Sequence, residues 1–187
     1  MSESLNYFNY LKQRSLLGLL YRRGWLYPRL SRHLVGKALD IGCGIGDMLR
    51  ARKNTVGVDI NDETVAYCKG LGLEAQVMTM DKLPFEEASF DSAVLDNVLE
   101  HIENPKPLLA EVRRVLRPGG VFIVGVPGAR GYQVDPDHKV FYDAERLQAT
   151  LAEAGFSSLT MLRMPLPFSG LTNVMNSYCI YGVFRAD

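Results

Sequence analysis

The chain has 187 residues, 47% of them apolar, enough for one domain with an ordinary core. Its 21 Lys and Arg are balanced by 21 Asp and Glu, which excludes a globally basic nucleic-acid binder, and no zinc finger, basic zipper or RNP motif is present. Cys43, Cys68 and Cys179 are scattered and odd in number, which speaks against a disulfide framework or a zinc site and suits a reducing cytoplasm.

The charge is unevenly placed. Residues 1–36 hold six Lys or Arg against one Glu, net +5, leaving fifteen against twenty, net −5, for residues 37–187. Leu5, Phe8, Leu11, Leu16, Leu19 and Leu20 recur at broadly helical spacing, with Tyr7, Tyr10, Trp25 and Tyr27 interleaved. This predicts one or two amphipathic helices, with Pro28 as a breaker. Residues 1–36 are expected to form a helical cap of the same domain as residues 37–187. The apolar run Leu16 to Tyr21, between Lys12 and Arg14 on one side and Arg22 and Arg23 on the other, is too brief for a signal peptide or a membrane span. A basic, partly apolar segment of this kind suits contact with anionic lipid or a phosphate-bearing substrate, and a solvated face over a buried stripe explains it equally well.

The next stretch is Ala38-Leu39-Asp40-Ile41-Gly42-Cys43-Gly44-Ile45-Gly46-Asp47, an apolar run that closes on an acid and breaks into alternating glycines. It predicts a buried strand, a tight turn whose main chain at Gly42, Cys43, Gly44 and Gly46 can touch a ligand, and a helix. Dinucleotide folds use G-x-G-x-x-G, whereas the spacing here is G-x-G-x-G. A carboxylate at Asp40 repels a pyrophosphate and attracts a cation. Asp40 and Asp47 thus favour S-adenosylmethionine (SAM), which carries an ammonium and a sulfonium, over NAD. A strand-end Asp can also be a structural cap. Thr55-Val56-Gly57-Val58-Asp59 is a second run closing on an acid, and Asp59 stands nineteen positions after Asp40, near the spacing of an acid that accepts both ribose hydroxyls.

Further along, Asn61 reads as the N-cap of a helix reaching Lys69, Glu74 to Met78 as a strand, and Phe90 to Asp96 as another. A helix is predicted from Pro105 to Leu116, then a Pro118-Gly119-Gly120 turn into a strand over Val121 to Val126. A helix from about Asp143 to Ala154 stops at Gly155, and strands follow over Ser158 to Arg163 and Asn176 to Arg185. The segment Met164 to Phe184 holds no charge, yet Pro165, Pro167, Asn173 and Asn176 mark it as a loop entering a buried strand. Such alternation implies an α/β, Rossmann-like, doubly wound and mostly parallel sheet that binds ligands beyond the carboxyl ends of its strands.

Taken together, VGKALDIGCGIGDML, TVGVDIN, MDKLPFEEASFDSAVLDNVLEHIENP and VLRPGGVFIVGVP resemble the successive motifs of class I SAM-dependent methyltransferases. The likeness is greatest to the small-molecule branch that includes the quinone-biosynthesis enzymes, and it covers about residues 36 to 128. It implies a seven-stranded sheet with an antiparallel last strand and an N-terminal lid in which Tyr7 or Tyr10 lines the pocket. Ile60 is expected against the adenine, with the Met80 main chain on its ring nitrogen. Related enzymes often carry an acid where this chain has Thr79; here the acid comes at Asp81, so both remain open as acceptors of the adenine amine. Asp96 and Asn97 are expected beneath the sulfonium. Val98-Leu99 follow them, not the P-P-Y of enzymes that methylate nucleobase amines, so a nucleic-acid acceptor is not expected.

For a hydroxyl acceptor a base is needed. His138, in the loop after the fifth strand, is the candidate, whereas His101 in Leu99-Glu100-His101-Ile102 is expected in a structural or cofactor-shell role. Tyr132 and Tyr142 shape the pocket or fill core, and no metal is expected. The resulting expectation is a cytoplasmic SAM-dependent methyltransferase acting on a small-molecule or lipid- or sugar-linked acceptor. The alternatives are an NAD-binding oxidoreductase and a SAM-binding regulator without turnover. The oligomeric state is not encoded legibly.

Overall fold

The computed structural model describes Phe8 and residues 15–187. Leu5, Tyr7, Tyr10, Leu11, Lys12 and Arg14, named above for the N-terminal segment, lie outside the described residues.

Seven strands form one sheet: β1 (Ala38–Ile41), β2 (Thr55–Asp59), β3 (Ala75–Val77), β4 (Phe90–Asp96), β5 (Leu116–Pro127), β6 (Phe156–Met164) and β7 (Cys179–Ala186), in the order β3-β2-β1-β4-β5-β7-β6. The first five pair in parallel, and β7 runs antiparallel between β5 and β6, as the resemblance implies. The order reverses between β1 and β4, so a crevice opens at their carboxyl ends. β1 and β2 are buried at every position, as befits parallel strands covered on both faces.

Strand alternation sorts the core into two layers. Ala93, Leu95, Phe122, Val124, Val126, Ile180 and Phe184 face one side, with α5 (Lys106–Val115) and α7 (Ala144–Glu153) packed over them. The stripe Leu108, Leu109, Val112 and Val115 follows the 3.6-residue period, which is why α5 docks there. Val94, Ile123, Tyr181 and Val183 face the other side and are covered by Leu26, Tyr27, Leu30 and Leu34. The described part of the N-terminal segment therefore closes one face of the sheet.

That segment comprises α1 (Leu16–Tyr21), a π-helical turn (Arg22–Leu26) and α2 (Tyr27–Ser31). Pro28 was expected to break the helix and does not. It sits in the first turn of α2, and the wide turn before it, in which the Tyr27 N–H donates to the Arg22 carbonyl, makes room for a ring that would otherwise strike the carbonyl four residues back. Further helices are α3 (Asp47–Ala51), α4 (Asp62–Gly70), capped by Asn61 as expected, and α6 (Ala129–Val134). Pro118-Gly119-Gly120 does not form a separate turn before β5. Leu116 pairs with Phe90 and Val121 with Ser92, so the intervening residues bulge within the strand, and the Arg117 guanidinium meets the Asp91 carboxylate there.

Candidate active site

The turn after β1 is stapled to β2 by its main chain. The Gly42 and Cys43 N–H groups both donate to the Val58 carbonyl, at 2.8 and 2.9 Å. Gly42, Gly44 and Gly46 all have positive φ. At Gly42 this conformation coincides with close approach, since a Cβ there would lie 2.5 Å from Val98 Cγ2, on the segment after β4. Glycine thus lets the two lips of the crevice meet. The Cys43 thiol turns away into a small buried cluster with Leu49, Val65, Cys68 and Ala75, so Cys43 offers a ligand its main chain only.

Asp59, at the end of β2, accepts the Gly44 N–H at 2.8 Å on one carboxylate oxygen and the Asn61 N–H at 2.9 Å on the other. It holds the glycine turn to the start of α4. Burial pushes its pKa up, while these N–H groups pull it down. Beside it, Ile60 is 56% exposed and Met80 55% exposed, two large apolar side chains at adjacent strand ends that a purine would cover. Thr79 Oγ1 and Asp81 Oδ1 lie 3.1 Å apart in a tight turn closed by the Thr79–Lys82 bridge. Both remain exposed, and the acceptor of an adenine amine stays open between them.

Asp40 is 5% exposed. Burial, and then the negative charges of Asp96, Asp59 and Asp47, push its carboxyl well above the ordinary range. Among these carboxylates Asp96 meets Arg22 and Asp47 meets Arg50, and the ammonium and sulfonium of SAM suit so acidic a crevice where a diphosphate would not. The donor set fits the methyl donor.

Asp96 has partners of its own. Its Oδ1 accepts from the Tyr181 hydroxyl and from Asn97 Nδ2, each at 2.8 Å, and its Oδ2 lies 3.4 Å from Arg22 Nη1. Arg22 Nη1 also donates to the Tyr27 hydroxyl at 2.9 Å. Asn97 has φ +55, a left-handed conformation that Asn tolerates better than most residues, and its N–H donates to the Gly125 carbonyl. Sequence reasoning placed Asp96 and Asn97 correctly at the strand end and missed Arg22 and Tyr181. Arg22 was visible only as one of several N-terminal charges.

His138 was expected in a loop facing the acceptor. Its side chain is in fact 8% exposed, stacked on Tyr132 and 4.7 Å centroid to centroid from His101. Its Nδ1 lies 2.9 Å from the Tyr132 carbonyl, and its Nε2 lies 3.8 Å from Glu100 Oε1 and from Asp135 Oδ2. The cause is a contact between distant segments: the Lys139 and Val140 N–H groups both donate to the Glu100 carbonyl, drawing the loop onto the 3-10 turn Leu99–His101. Glu100, fully buried, was not singled out by the sequence. Tyr142 is buried core, whereas Tyr132 is half-exposed beside His138.

Residues 39–124 match a family model described as a methyltransferase domain. An uncharacterised protein of Methanocaldococcus jannaschii is 32% identical over 142 residues, covering 70% of this chain and 69% of that protein. A probable S-adenosylmethionine-dependent methyltransferase of Mycolicibacterium smegmatis is 30% identical over 163 residues, covering 77% and 63% respectively. The chain thus spans about two thirds of the length of these relatives. Among solved structures, a SAM-dependent methyltransferase of Thermotoga maritima superposes with a TM-score of 0.79 at 20% identity, each chain covered in full, a likeness of fold.

Proposed function

This chain belongs to the class I SAM-dependent methyltransferases, and from that premise we propose that it moves the methyl group of SAM to a small-molecule or lipid- or sugar-linked acceptor. The observation that carries the reading is the set of carboxyl groups Asp40, Asp59 and Asp96 toward the carboxyl ends of β1, β2 and β4, beside the reversal of strand order, with Asp40 raised in pKa chiefly by its burial. A carboxylate so placed favours a sulfonium donor over NAD.

Bound SAM supplies an electrophilic methyl group on a positively charged sulfur, which leaves as a neutral thioether after in-line attack by the acceptor. The protein's share is placement. Asp59 takes the ribose hydroxyls, Ile60 and Met80 cover the adenine, the Met80 main chain and one of Thr79 or Asp81 mark its edge, and Asp40 faces the methionine end. Asp96, held by Tyr181 and Asn97, keeps a carboxylate near the sulfonium. Fixing two reactants in line while excluding water contributes up to about 7–11 kcal/mol. For a hydroxyl acceptor, His138 takes the proton in this reading. Its Nδ1 faces a carbonyl, which can only accept, so Nε2 is the basic nitrogen.

The acceptor class rests on the rim. α1 exposes Leu16, Leu17 and Leu20, the β6–β7 loop exposes Leu166, Phe168 and Val174, and the π-helical turn that follows α1 is tied to that loop by the Trp25 Nε1–H donating to the Pro165 carbonyl at 3.0 Å. Exposed apolar side chains beside Arg23 and Arg29 suit an acceptor with an apolar body, or one presented at an anionic membrane surface. No helix among the described residues is long and apolar enough to cross a membrane.

The test is calorimetric titration with S-adenosylhomocysteine and NADH side by side, followed by incubation with labelled SAM and fractionated lipid and sugar metabolites. Binding of NADH but not of the SAM product would end the proposal. Label in one fraction would name the acceptor class.

A further inference from the structure

Glu100 is fully buried, and neither of its carboxylate oxygens has a hydrogen-bond partner. A buried carboxylate left this way is costly unless something satisfies it. What surrounds it is a pair of imidazoles. One donor atom each from Glu100, His101 and His138 lies within 4.8 Å of the others.

The rings are held in a particular manner. His138 Nδ1 sits 2.9 Å from the Tyr132 carbonyl and His101 Nδ1 3.3 Å from the Asp137 carbonyl. A carbonyl only accepts, so both rings carry their proton on Nδ1 and present the lone pair of Nε2. Metal-ligating imidazoles are oriented by this same outer hydrogen bond. His138 Nε2 is 3.8 Å from Glu100 Oε1 and 3.8 Å from Asp135 Oδ2, too far for hydrogen bonds. Ligand atoms on one tetrahedral ion with bonds of about 2.0–2.2 Å lie roughly 3.3–3.6 Å apart, so small side-chain rotations bring these groups to ligating distance.

We propose that Glu100, His101 and His138 form a binding site for one divalent first-row transition metal ion of the Zn²⁺ class, with Asp135 available for a fourth position. Two imidazoles and one carboxylate match Zn²⁺, Fe²⁺ or Mn²⁺ better than Mg²⁺ or Ca²⁺, which take oxygen ligands. The ion satisfies Glu100 and joins the loop after α6 to the turn after β4. It occupies the nitrogen that the base role of His138 needs, so the two uses exclude each other. The site does not depend on the methyltransferase reading.

The test uses the full chain, stripped with chelator and dialysed. Zn²⁺ is titrated against a chromophoric chelator, and Co²⁺ is added as a spectroscopic reporter. The expected result is one ion per chain, with the intense visible bands of four- or five-coordinate Co²⁺. Glu100→Gln and His101→Ala are each expected to weaken Zn²⁺ at least tenfold and to remove those bands, while affinity for S-adenosylhomocysteine is retained. A wild-type circular dichroism spectrum and a cooperative thermal transition show that the variants fold, independently of cofactor binding, and His101→Ala, at the more exposed ligand, keeps the test decisive if Glu100→Gln does not. Failure of the folded wild-type chain to bind Zn²⁺, or equal affinity in the folded variants, would overturn the proposal.

Discussion

Arg22 Nη1 and Asp96 Oδ2 lie 3.4 Å apart although 74 residues separate them in sequence. The contact carries a positive charge from the π-helical turn of the N-terminal segment to the carboxyl end of β4, where the sulfonium of SAM is proposed to sit. Both side chains are largely buried, at 25% and 10% exposure, so solvent screens the pair less than it would a surface bridge. Arg22 also holds the Tyr27 hydroxyl, and Tyr27 belongs to the layer that closes the sheet.

The pair predicts a charge-selective effect. SAM carries a sulfonium and S-adenosylhomocysteine does not, so a guanidinium at this place disfavours the first relative to the second. Arg22→Gln should therefore raise affinity for SAM relative to its product, by a few-fold to about tenfold for unit charges at partly buried separations. It should also lower stability by about 1–2 kcal/mol, because Asp96 loses a partner. Calorimetry with both ligands and thermal unfolding measure the two effects. An unchanged ratio of the two affinities would show that Arg22 does not sense the sulfur.

Asp59 predicts a compound loss. Its proposed bonds to the ribose are of the charge-assisted kind, so Asp59→Ala should weaken SAM binding by about 1.5–3 kcal/mol. The carboxylate also holds the Gly44 and Asn61 N–H groups, so the same change should destabilise the protein without ligand, by about 1–3 kcal/mol. Asp59→Asn retains an acceptor for one of these N–H groups and should recover part of the stability while remaining poor at binding. Parallel melting and titration of the two variants separates the roles. Full binding by either would refute contact with the ribose.

Much of this was legible because it depends on local pattern. The glycine spacing, the acid closing β2, the Asn61 cap and the limits of β4 follow from periodicity and turn chemistry, and the structure keeps all of them, while β1 runs one residue past Asp40 to Ile41. What escaped depends on contacts between distant segments. Nothing near Arg22 in sequence announces Asp96, and nothing near Glu100 announces that residues 139–140 will bind its carbonyl and bring His138 to its carboxylate. Pro28 was misread for a similar reason: the widened turn that accommodates it is stabilised by burial of Leu26, Tyr27 and Leu30 against the sheet, not by local propensity.

Acid stability should reflect Glu111. Its carboxylate is gripped by Arg114 at 2.6 and 2.7 Å and accepts the Leu83 N–H at 2.9 Å. Arg114 foremost pulls its pKa down to about 2 from the ordinary 4.5. A carboxyl depressed by folding stabilises the native state above its unfolded pKa. That stability fades as pH falls from about 4.5 toward 2. After allowance for solvent screening it amounts to about 1 kcal/mol. Glu111→Gln should be less stable near neutrality and lose less stability over that acid window. Chemical unfolding at a series of pH values checks this, and parallel curves for the two proteins would contradict it.

Gly42 offers the sharpest geometric prediction, since two separate penalties meet there. A side chain at φ +75 costs about 1–2 kcal/mol. A Cβ would also stand 2.5 Å from Cγ2 of Val98, a β-branched residue with little rotamer freedom. Gly42→Ala should therefore destabilise by about 2–4 kcal/mol in sum and, by forcing β1's turn away from the segment after β4, weaken binding of S-adenosylhomocysteine. Val98→Ala alone should cost about 1 kcal/mol, because Val98 is only partly buried against the core. Combined with Gly42→Ala it removes the obstructing methyl, so the double variant should be more stable than the two single losses predict. Such coupling is the signature of residues in contact. Additive losses would mean that the backbone conformation of Gly42, and not the approach of Val98, is what requires glycine at the mouth of the crevice.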